Sequence, residues 1–399
     1  MPSRRHLFAL VTLITLTFFS CKEAPRNFNS SILGPDQINL VSLDSFVNGL
    51  PQSSHSIKTV VNTGASSTLL LGSYKTSSGN IQDASTLIKF DYSTLSDTDS
   101  TGFSNGSITV NDSWIIFTKT YAFGDTNATQ IDFGAYKVNS PWTSTGFTSD
   151  SLGNLSYSTD DLSSQKILAN DSTNLYSVHI KPTAIQEEIS DYTNGVNDYG
   201  IYLKPNQSGN TVWGFGAMSA SSPPAIAIAV NRGGVLTDTL YFNALSNVSV
   251  LSGNLVSSAQ DFYLQPSLAA QAVVSFDVSK IPSNAIINQA KLILTADTLN
   301  TVKGTVYNSN IVAYNITDSA AKTLDSLASG VTSTLTDTAT YVLDVTSYVQ
   351  KWVREKNNQG VLLVPYSGTT GMDIYAFKSS NSNNLSQRPR LIILYTTKN

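Results

Sequence analysis

Few residues of this chain could do acid–base or nucleophilic chemistry. Beyond the first twenty residues the histidines are His55 and His179, which lie far apart in the sequence. The sequence has no phosphate-binding loop, dinucleotide-binding fingerprint or HExxH zinc motif. His179 lies in the alternating segment 175–180, a pattern typical of an outward strand residue rather than of a base. We therefore predict that the chain is not an enzyme. A Ser–His–Asp hydrolase stays the weakest alternative, because such residues meet only in space.

Two pairs of acidic residues lie in loops rich in Ser and Thr. They are Asp97 with Asp99, and Asp160 with Asp161. Calcium takes six to eight oxygen ligands and such loops supply them, but turn-forming Asp residues give the same pattern by bonding to their own backbone. No cofactor is predicted. A structural calcium ion is left open, and the metal, if any, is unknown.

Aromatic and basic side chains could bind a sugar polymer. Trp142 follows Pro141 in a loop-like run and is predicted to be exposed, so that its ring could stack on a sugar. Trp114 and Trp352 lie at periodic apolar positions and are predicted to be in the core. An anionic polymer could bind to a group of basic residues in the last third of the chain, which otherwise form a solvated rim: Lys351, Arg354, Lys356, Lys378, Arg388 and Arg390.

The only cysteine lies at a secretory processing site. Arg4 and Arg5 precede an apolar run of 13 residues (7–19), which is followed by Ser20 and Cys21. The run is too short for a transmembrane helix, which needs about 20 residues. Ser20 and Cys21 resemble a bacterial lipobox. The resemblance implies that residues 1–20 are a signal peptide and that Cys21 carries the lipid, palmitate included.

Lys22, rather than Asp, follows that cysteine, which resembles retention in the outer membrane. Two or three acyl chains hold a protein on a membrane essentially permanently. We therefore expect a lipoprotein anchored in the cell outer membrane, on its surface or periplasmic face.

Composition excludes other classes of protein. The 399 residues include 24 Lys and Arg against 28 Asp and Glu, which is too acidic for a nucleic-acid binder. One cysteine cannot form a disulfide framework. A hydrophobic fraction of 41% permits a large core, and the length suggests two domains.

The chain repeats itself. Short runs rich in Val, Ile, Leu, Thr, Tyr and Phe alternate with Gly, Asn, Asp and Ser clusters, which is typical of antiparallel β structure. Four segments recur in the same order: 87–91 with 273–277, 110–117 with 287–294, 200–205 with 360–365, and 224–230 with 389–395. We predict an all-β protein with a lipidated tether (21–56) and two tandem antiparallel β-sandwich domains of jelly-roll-like type, at 57–232 and 233–399.

Each copy is predicted to carry one short helix. In the second copy, apolar residues between 345 and 353 recur at helical spacing. In the first copy, Ile185 and Ile189 are predicted to face inward, with Glu187 and Glu188 outward. A single helix cannot cover a sheet, so we expect it to plug one end of the sandwich.

The second copy resembles a known family. Its motifs are Phe276-Asp-Val-Ser279 with Ile281-Pro282, Leu343-Asp-Val-Thr346 with Trp352, the segment 360–363, and Arg388-Pro-Arg-Leu391. Over about residues 246–397 these resemble the DNRLRE domain, which is similar to carbohydrate-binding module family 96. The first copy is diverged: His179 or a neighbour replaces Asp344, and Pro223 replaces Arg388.

The resemblance implies secreted accessory modules that bind polysaccharide. Our leading hypothesis is that the second domain binds an extracellular polysaccharide. The alternative is a structural or protein-interaction component of the cell envelope. An exposed aromatic and basic groove would favour sugar, an uncovered apolar patch would favour a protein partner, and a buried acid pair in a cleft would favour catalysis.

Overall fold

The computed structural model describes residues 38–59, 64, 66–169, 174–206, 209–320, 323–368 and 370–398. Cys21 and the predicted signal peptide lie outside these residues. The chain is all-β, as predicted, with antiparallel sheets and few, short helices. Within the described ranges, no helix is both long and apolar enough to cross a membrane.

Two edge strands come first in the described chain, and ten further strands form the first module. The edge strands are β1 (Ile38–Asp44) and β2 (Gln52–Lys58), joined by the short helix α1 (Ser45–Asn48). The first module contains β3 (Thr68–Lys75), β4 (Ile81–Phe90), β5 (Ile108–Gly124), β6 (Phe133–Lys137), β7 (Ser163–Ala169), β8 (Leu175–Ile180), β9 (Ile201–Pro205), β10 (Thr211–Gly216), β11 (Ala225–Arg232) and β12 (Val235–Gly253).

The second module is built from the remaining strands. They are β13 (Asp261–Leu264), β14 (Ala270–Phe276), β15 (Ile286–Thr295), β16 (Ile311–Asp318), β17 (Thr323–Leu324), β18 (Val331–Thr332), β19 (Thr334–Leu335), β20 (Thr340–Asp344), β21 (Val361–Pro365), β22 (Tyr375–Lys378) and β23 (Arg390–Lys398). One sheet has the order β1-β23-β15-β20-β19, and a second has the order β17-β16-β21-β14-β2.

Helices and turns complete both modules. The two predicted helices are confirmed as α4 (Pro182–Thr193) and α5 (Thr346–Glu355). The first module also contains α2 (Asp97–Asn105) and α3 (Ser149–Leu152), so the prediction of one helix in each module is wrong for it. Short 3-10 turns lie at Tyr92–Thr94 and Leu385–Gln387. The Ser96 side chain caps α2 by accepting from the Asp99 backbone, a start signal that hydrophobic periodicity does not reveal.

The pairing register confirms the internal repeat. In the first module Trp114 of β5 lies opposite Ala227 of β11, and in the second Lys291 of β15 lies opposite Ile392 of β23. These are the positions that the sequence repeat equates. The strand pair β4–β9 likewise corresponds to β14–β21. His179 lies opposite Trp114 as Asp344 lies opposite Lys291, so His179 is the residue that replaces Asp344.

The two helices are fixed by equivalent hydrogen bonds. Gln186 Oε1 accepts from the Val110 backbone at 2.7 Å, and Gln350 Oε1 accepts from the Ile287 backbone at 2.9 Å. Each bond satisfies a strand N–H group at the same place in its module. The equivalence therefore extends from the strands to the side chains that attach the helix.

The modules exchange their edge strands. The first part of β12 pairs with β11 and the second part with β4. In the second module the equivalent strands β23 and β14 pair instead with β1 and β2, from the far end of the sequence. Residues 38–58 therefore occupy in the second module the place that 235–253 occupy in the first.

This exchange corrects the predicted domain boundaries. The prediction of a tether is wrong for the described residues from 38 onward, because β1 and β2 are both paired within the sheets of the second module. The boundary at 232/233 falls inside the β11–β12 hairpin, so residues up to 253 belong to the first module. A local pattern shows that a strand exists but not which of two equivalent edges it joins.

The core has a part in each module and a part between them. Trp213 and Tyr375, at equivalent positions, are buried, and so is Trp352, as predicted. Trp114 is only half-buried and stacks on His179, so its predicted core position is wrong.

A third apolar cluster joins the two modules. It contains Tyr121 and Phe123 from the first module and Met372 and Ile374 from the second. The Tyr121 hydroxyl accepts from the Met372 backbone at 2.9 Å. Packing and hydrogen bonding therefore connect the modules directly.

Candidate ligand-binding groove

Helix α5 is positioned by its first turn and by its apolar face. The Asp344 carboxylate accepts from the Thr346 backbone at 3.1 Å, and the Thr346 hydroxyl accepts from the Ala290 backbone at 2.8 Å. Trp352 and Val353 lie on the buried face. The helix ends at Glu355, and the next residue, Lys356, has the left-handed conformation typical of a helix C-terminus.

A groove of about 680 Å³ opens between the end of α5, the start of β2 and the loop after β14. Apolar side chains and a larger number of polar ones line it: Pro51, Gln52, Ser53, Ser275, Phe276, Asp277, Val278, Ser279, Ile281, Ser283, Trp352, Val353, Lys356 and Asn358. We call this the α5 groove. Its volume is in the range of small-molecule sites.

The polar groups of the α5 groove differ in how they are satisfied. Ser53 Oγ and Ser275 Oγ are 2.8 Å apart and bond to each other. Asn358 donates to the Phe276 carbonyl at 2.6 Å and accepts from the Gly360 backbone. Gln52 Oε1 is buried and, among the described residues, has no hydrogen-bond partner. A buried acceptor without a hydrogen-bond partner destabilises the folded protein, so its presence requires an explanation.

The charged residues of the lining are Asp277 and Lys356. Hydrogen bonds from the Ser279 hydroxyl and backbone hold the pKa of Asp277 below its usual range. The Lys280 ammonium of the same loop contributes to that lowering, so Asp277 is a carboxylate with a cation beside it. Lys356 is the single ammonium group of the lining itself, which is mostly polar and uncharged.

The same place in the first module is covered. Its connection between β4 and β5, residues 91–107, is longer than the corresponding connection 277–285 and contains α2, which packs against α4. Tyr92, the counterpart of Val278, is buried there, as is Phe103 of α2. The first module is closed where the second is open.

A buried acid lies beneath this cover. Glu188, predicted to face outward, is 4% exposed, and its Oε1 accepts from the Tyr92 hydroxyl at 3.0 Å. Burial, followed by the nearby charge of Asp198, raises the pKa of Glu188 well above its usual range. A neutral carboxyl group can be buried at little cost, which explains the failure of the outward prediction. Glu188 and its acidic neighbour Asp198 are both buried in the first module, so this pair of acids does not face a cleft.

The predicted sugar platform Trp142 is half-buried. Its Nε1 donates to the Tyr199 carbonyl at 2.7 Å, and its ring packs edge-on against Phe147. It lines a smaller groove of about 300 Å³ in the first module. Trp142 is therefore only partly exposed, because its indole is hydrogen-bonded to the backbone.

The predicted basic residues are mostly held by carboxylates. Lys351 bonds to Asp325 at 2.7 Å. The other pairs are Arg354 with Glu355, Lys378 with Asp261 and Asp297, and Arg390 with Asp44. Arg388 donates through Nε to the Ser382 carbonyl at 2.8 Å. Of the six, Lys356 lines the α5 groove, while Lys351 and Arg354 line a separate groove of about 720 Å³.

The predicted acid pairs and His179 have local roles. Asp99 pairs with Arg232, Asp160 bonds to Lys181 at 3.0 Å, and Asp161 accepts from the Ala135 and Ser163 backbones. Within the described part of the chain, no group of three or more His, Cys, Asp or Glu residues could hold a metal ion. His179 Nδ1 is 3.3 Å from Asp112 Oδ1 on the same sheet.

Comparison with known proteins adds little. No family model matches the chain, and no curated protein matches it. Among solved structures, the chain is similar to the C-terminal domain of the AgI/II polypeptide BspA of Streptococcus agalactiae. The sequence identity is 9% over 87% of this chain and 91% of that chain, with a TM-score of 0.18. A TM-score of this size does not establish a shared fold.

Proposed function

We propose that this protein is a non-catalytic, lipid-anchored binding protein of the outer membrane whose second module binds an extracellular polysaccharide in the α5 groove. The observation that carries the proposal is the difference between the modules. The groove is open and lined with polar groups in one module, and a helix covers the same place in the other.

The lining suits a sugar chain. Sugars present hydroxyl groups at their edges and C–H groups on their faces, so a site needs hydrogen-bonding side chains beside apolar ones. Ser53, Ser283 and Gln52 provide the first, and the exposed Pro51 provides the second, while Phe276 and Ile281 are buried in the floor of the groove. Trp352 is 3% exposed and contributes to the floor of the groove rather than a stacking surface.

Binding is tested by affinity electrophoresis of the full chain from Lys22 onward. The gels contain alginate, pectin or neutral glucans, each with and without calcium. We expect at least one polymer to retard the protein, and a Ser283→Trp variant, which places a bulky side chain in the lining of the α5 groove, to migrate freely. Equal migration of the wild-type protein in every gel would refute the proposal.

The anchor is tested separately. Cys21→Ser removes the only thiol that can carry the lipid. We expect this variant to leave the membrane fraction, since each buried methylene contributes about 0.8 kcal/mol to membrane binding. A variant that still sediments with membranes would contradict lipid anchoring.

A structural or protein-interaction role is the second candidate, and one observation favours it. Leu40 and Ile286 both lie opposite Thr396, on either side of β23, and are 63% and 62% exposed. Exposed apolar side chains grouped on one sheet surface are typical of contact with another protein. If no polymer retards the protein, this sheet surface becomes the site to test, with Leu40→Asp as the variant.

A further inference from the structure

A row of side chains crosses the outer face of a sheet in the first module. On the neighbouring strands β8, β5, β11 and β12 the row consists of His179, Trp114, Ala227 and Tyr241, each lying opposite the next. Ala227 is buried but is not part of the core cluster, whereas the residues before and after it in the chain are. Because side chains alternate along a strand, the row faces away from the core. We call these four residues the aromatic row.

The aromatic row has one large ring on each side of a small residue. His179 stacks on Trp114 with ring centroids 5.7 Å apart, and Trp114 is half-buried. Tyr241 is 62% exposed. Two strand spacings, about 9.6 Å, separate Trp114 from Tyr241, with Ala227 on the strand between them. The row is therefore an open aromatic surface rather than a groove.

Hydrogen-bonding side chains lie on both sides of the aromatic row. Two residues further along the strands, about 6.8 Å away, the neighbouring rows contain Asp112 and Thr239 on one side and Ser177 and Asn243 on the other. All four are at least partly exposed. A sugar ring has C–H groups on its faces and hydroxyl groups at its edges, so it matches an aromatic row between polar side chains.

The second module has charged residues in the same place. Its four equivalent positions, in the same order, are Asp344, Lys291, Ile392 and Asp44. Asp44 forms an ion pair with Arg390. The equivalent sheet thus forms without aromatic residues in this row, so strand pairing does not explain why the first module has them.

An open surface suits a solid ligand better than a dissolved chain. A dissolved polymer loses conformational freedom when it is ordered on a protein surface, and two rings offer few contacts to offset that loss. In an insoluble polysaccharide the chains are already ordered and present rows of sugar rings. Little ordering cost then remains, since the ligand is preorganised.

We propose that the aromatic row is a second binding site, separate from the α5 groove, which binds the exposed sugar rings at the surface of an insoluble polysaccharide. Trp114 and Tyr241 stack on the rings, and Thr239 and Asn243 bond to hydroxyl groups beside them. The first module, which is closed where the second is open, thereby has a binding surface of its own.

The test measures how much of the full chain from Lys22 onward is removed from solution by washed cellulose or chitin particles. Tyr241→Asp and Trp114→Lys introduce the residues that the second module has at the same positions. Tyr366→Asp is the matched control, because Tyr366 is 55% exposed and lies in the second module, outside the aromatic row. Ser283→Trp alters the α5 groove instead. Thermal melting of each variant establishes that it is folded.

We expect at least one of the two solids to remove the wild-type protein from solution. Tyr241→Asp and Trp114→Lys should each weaken this binding about tenfold, while Tyr366→Asp and Ser283→Trp bind within about threefold of the wild type.

Two results would overturn the proposal. The first is that neither solid removes the wild-type protein, and the second is that folded Tyr241→Asp and Trp114→Lys bind as well as the wild type. Loss of binding in Ser283→Trp would assign the solid to the α5 groove and likewise overturn a separate site. Binding to a solid without retardation by any dissolved polymer would support the aromatic row and refute the proposed role of the α5 groove.

Discussion

The exchange of edge strands can be tested with one engineered disulfide. Leu40 of β1 lies opposite Thr396 of β23 in an antiparallel ladder. Such partners have Cα atoms about 4.5–5.5 Å apart, within the range of about 4.4–6.8 Å that a disulfide requires. We expect Leu40→Cys/Thr396→Cys to oxidise in a soluble form that begins at Lys22, which has no other cysteine.

The control places the second cysteine in the other module. Asn231 of β11 is the counterpart of Thr396, so it would lie opposite Leu40 if each module used the strand that precedes it in sequence. Leu40→Cys/Asn231→Cys should therefore stay reduced under the same conditions. Mobility on a non-reducing gel and peptide mapping by mass spectrometry distinguish the two pairs.

The expected stabilisation follows from the length of chain between the two positions. The bridge closes a loop of roughly 360 residues, for which the chain-entropy relation gives about 6 kcal/mol as an upper limit. Observed gains are typically about 2–4 kcal/mol, and urea unfolding with and without reductant measures them. A bridge in the control pair, with none between positions 40 and 396, would refute the exchange.

Three further predictions concern stability. Gly360→Ala should lower the free energy of unfolding in urea by about 3 kcal/mol, because Gly360 has a φ of +86° and an added Cβ would lie 2.6 Å from the Val274 carbonyl oxygen. The control Gly79→Ala has a similar φ of +83° but open space around the added Cβ, so it should lower that free energy by roughly 1 kcal/mol. Gln350→Ala should cost roughly 2 kcal/mol, because it leaves the buried Ile287 N–H group unpaired; an unchanged unfolding midpoint would contradict that role. Burial raises the pKa of Asp373 from 3.8 to about 6, so the folded state favours the protonated carboxyl group. The stability that this protonated group contributes is present below about pH 4 and is lost as the pH rises through 6. Relative to Asp373→Asn, the wild-type protein should lose at most about 3 kcal/mol between pH 4 and pH 7, and parallel pH profiles of the two proteins would refute this.

The repeat was predictable because strand periodicity is local. The segments 110–117 and 287–294 alternate apolar residues on the side that faces the core, and the register in the structure preserves their alignment. The helix at 346–355 was predictable for the same reason, since its apolar positions recur every three or four residues. Patterns of this kind need no knowledge of distant partners.

The strand exchange was not predicted, although one local signal points to it. Gly233 and Gly234 form the two-residue turn between β11 and β12, with φ of +59° and +85°. Two positive values are typical of the hairpin turns that fit the twist of adjacent strands. This tight turn assigns β12 to the first module, which leaves β23 and β14 to pair with the N-terminal strands. The boundary at 232/233, which was predicted from the repeat alone, therefore falls inside a hairpin.

The α5 groove was not predicted because its residues come from distant parts of the sequence. Gln52, Asp277 and Lys356 belong to three separate segments, and no spacing rule relates them. The basic residues of the last third were grouped by sequence, but carboxylates from elsewhere, such as Asp44 and Asp325, bind two of them. Basic residues that are close in sequence can bind an anionic ligand only where the fold leaves them without carboxylate partners.

The exchange also determines which piece of the protein can be tested. A fragment of residues 233–399 contains the motifs that resemble a carbohydrate-binding module, yet it lacks β1, β2 and Gln52. It would expose the edges of β14 and β23 and retain β12 without its partner strands. Unpaired edges promote aggregation, so a negative binding result on that fragment would report misfolding. The N-terminal segment follows the predicted lipid anchor and completes the C-terminal module. If Cys21 is lipidated, the C-terminal module is therefore the one attached next to the membrane, and the closed N-terminal module is attached only through it.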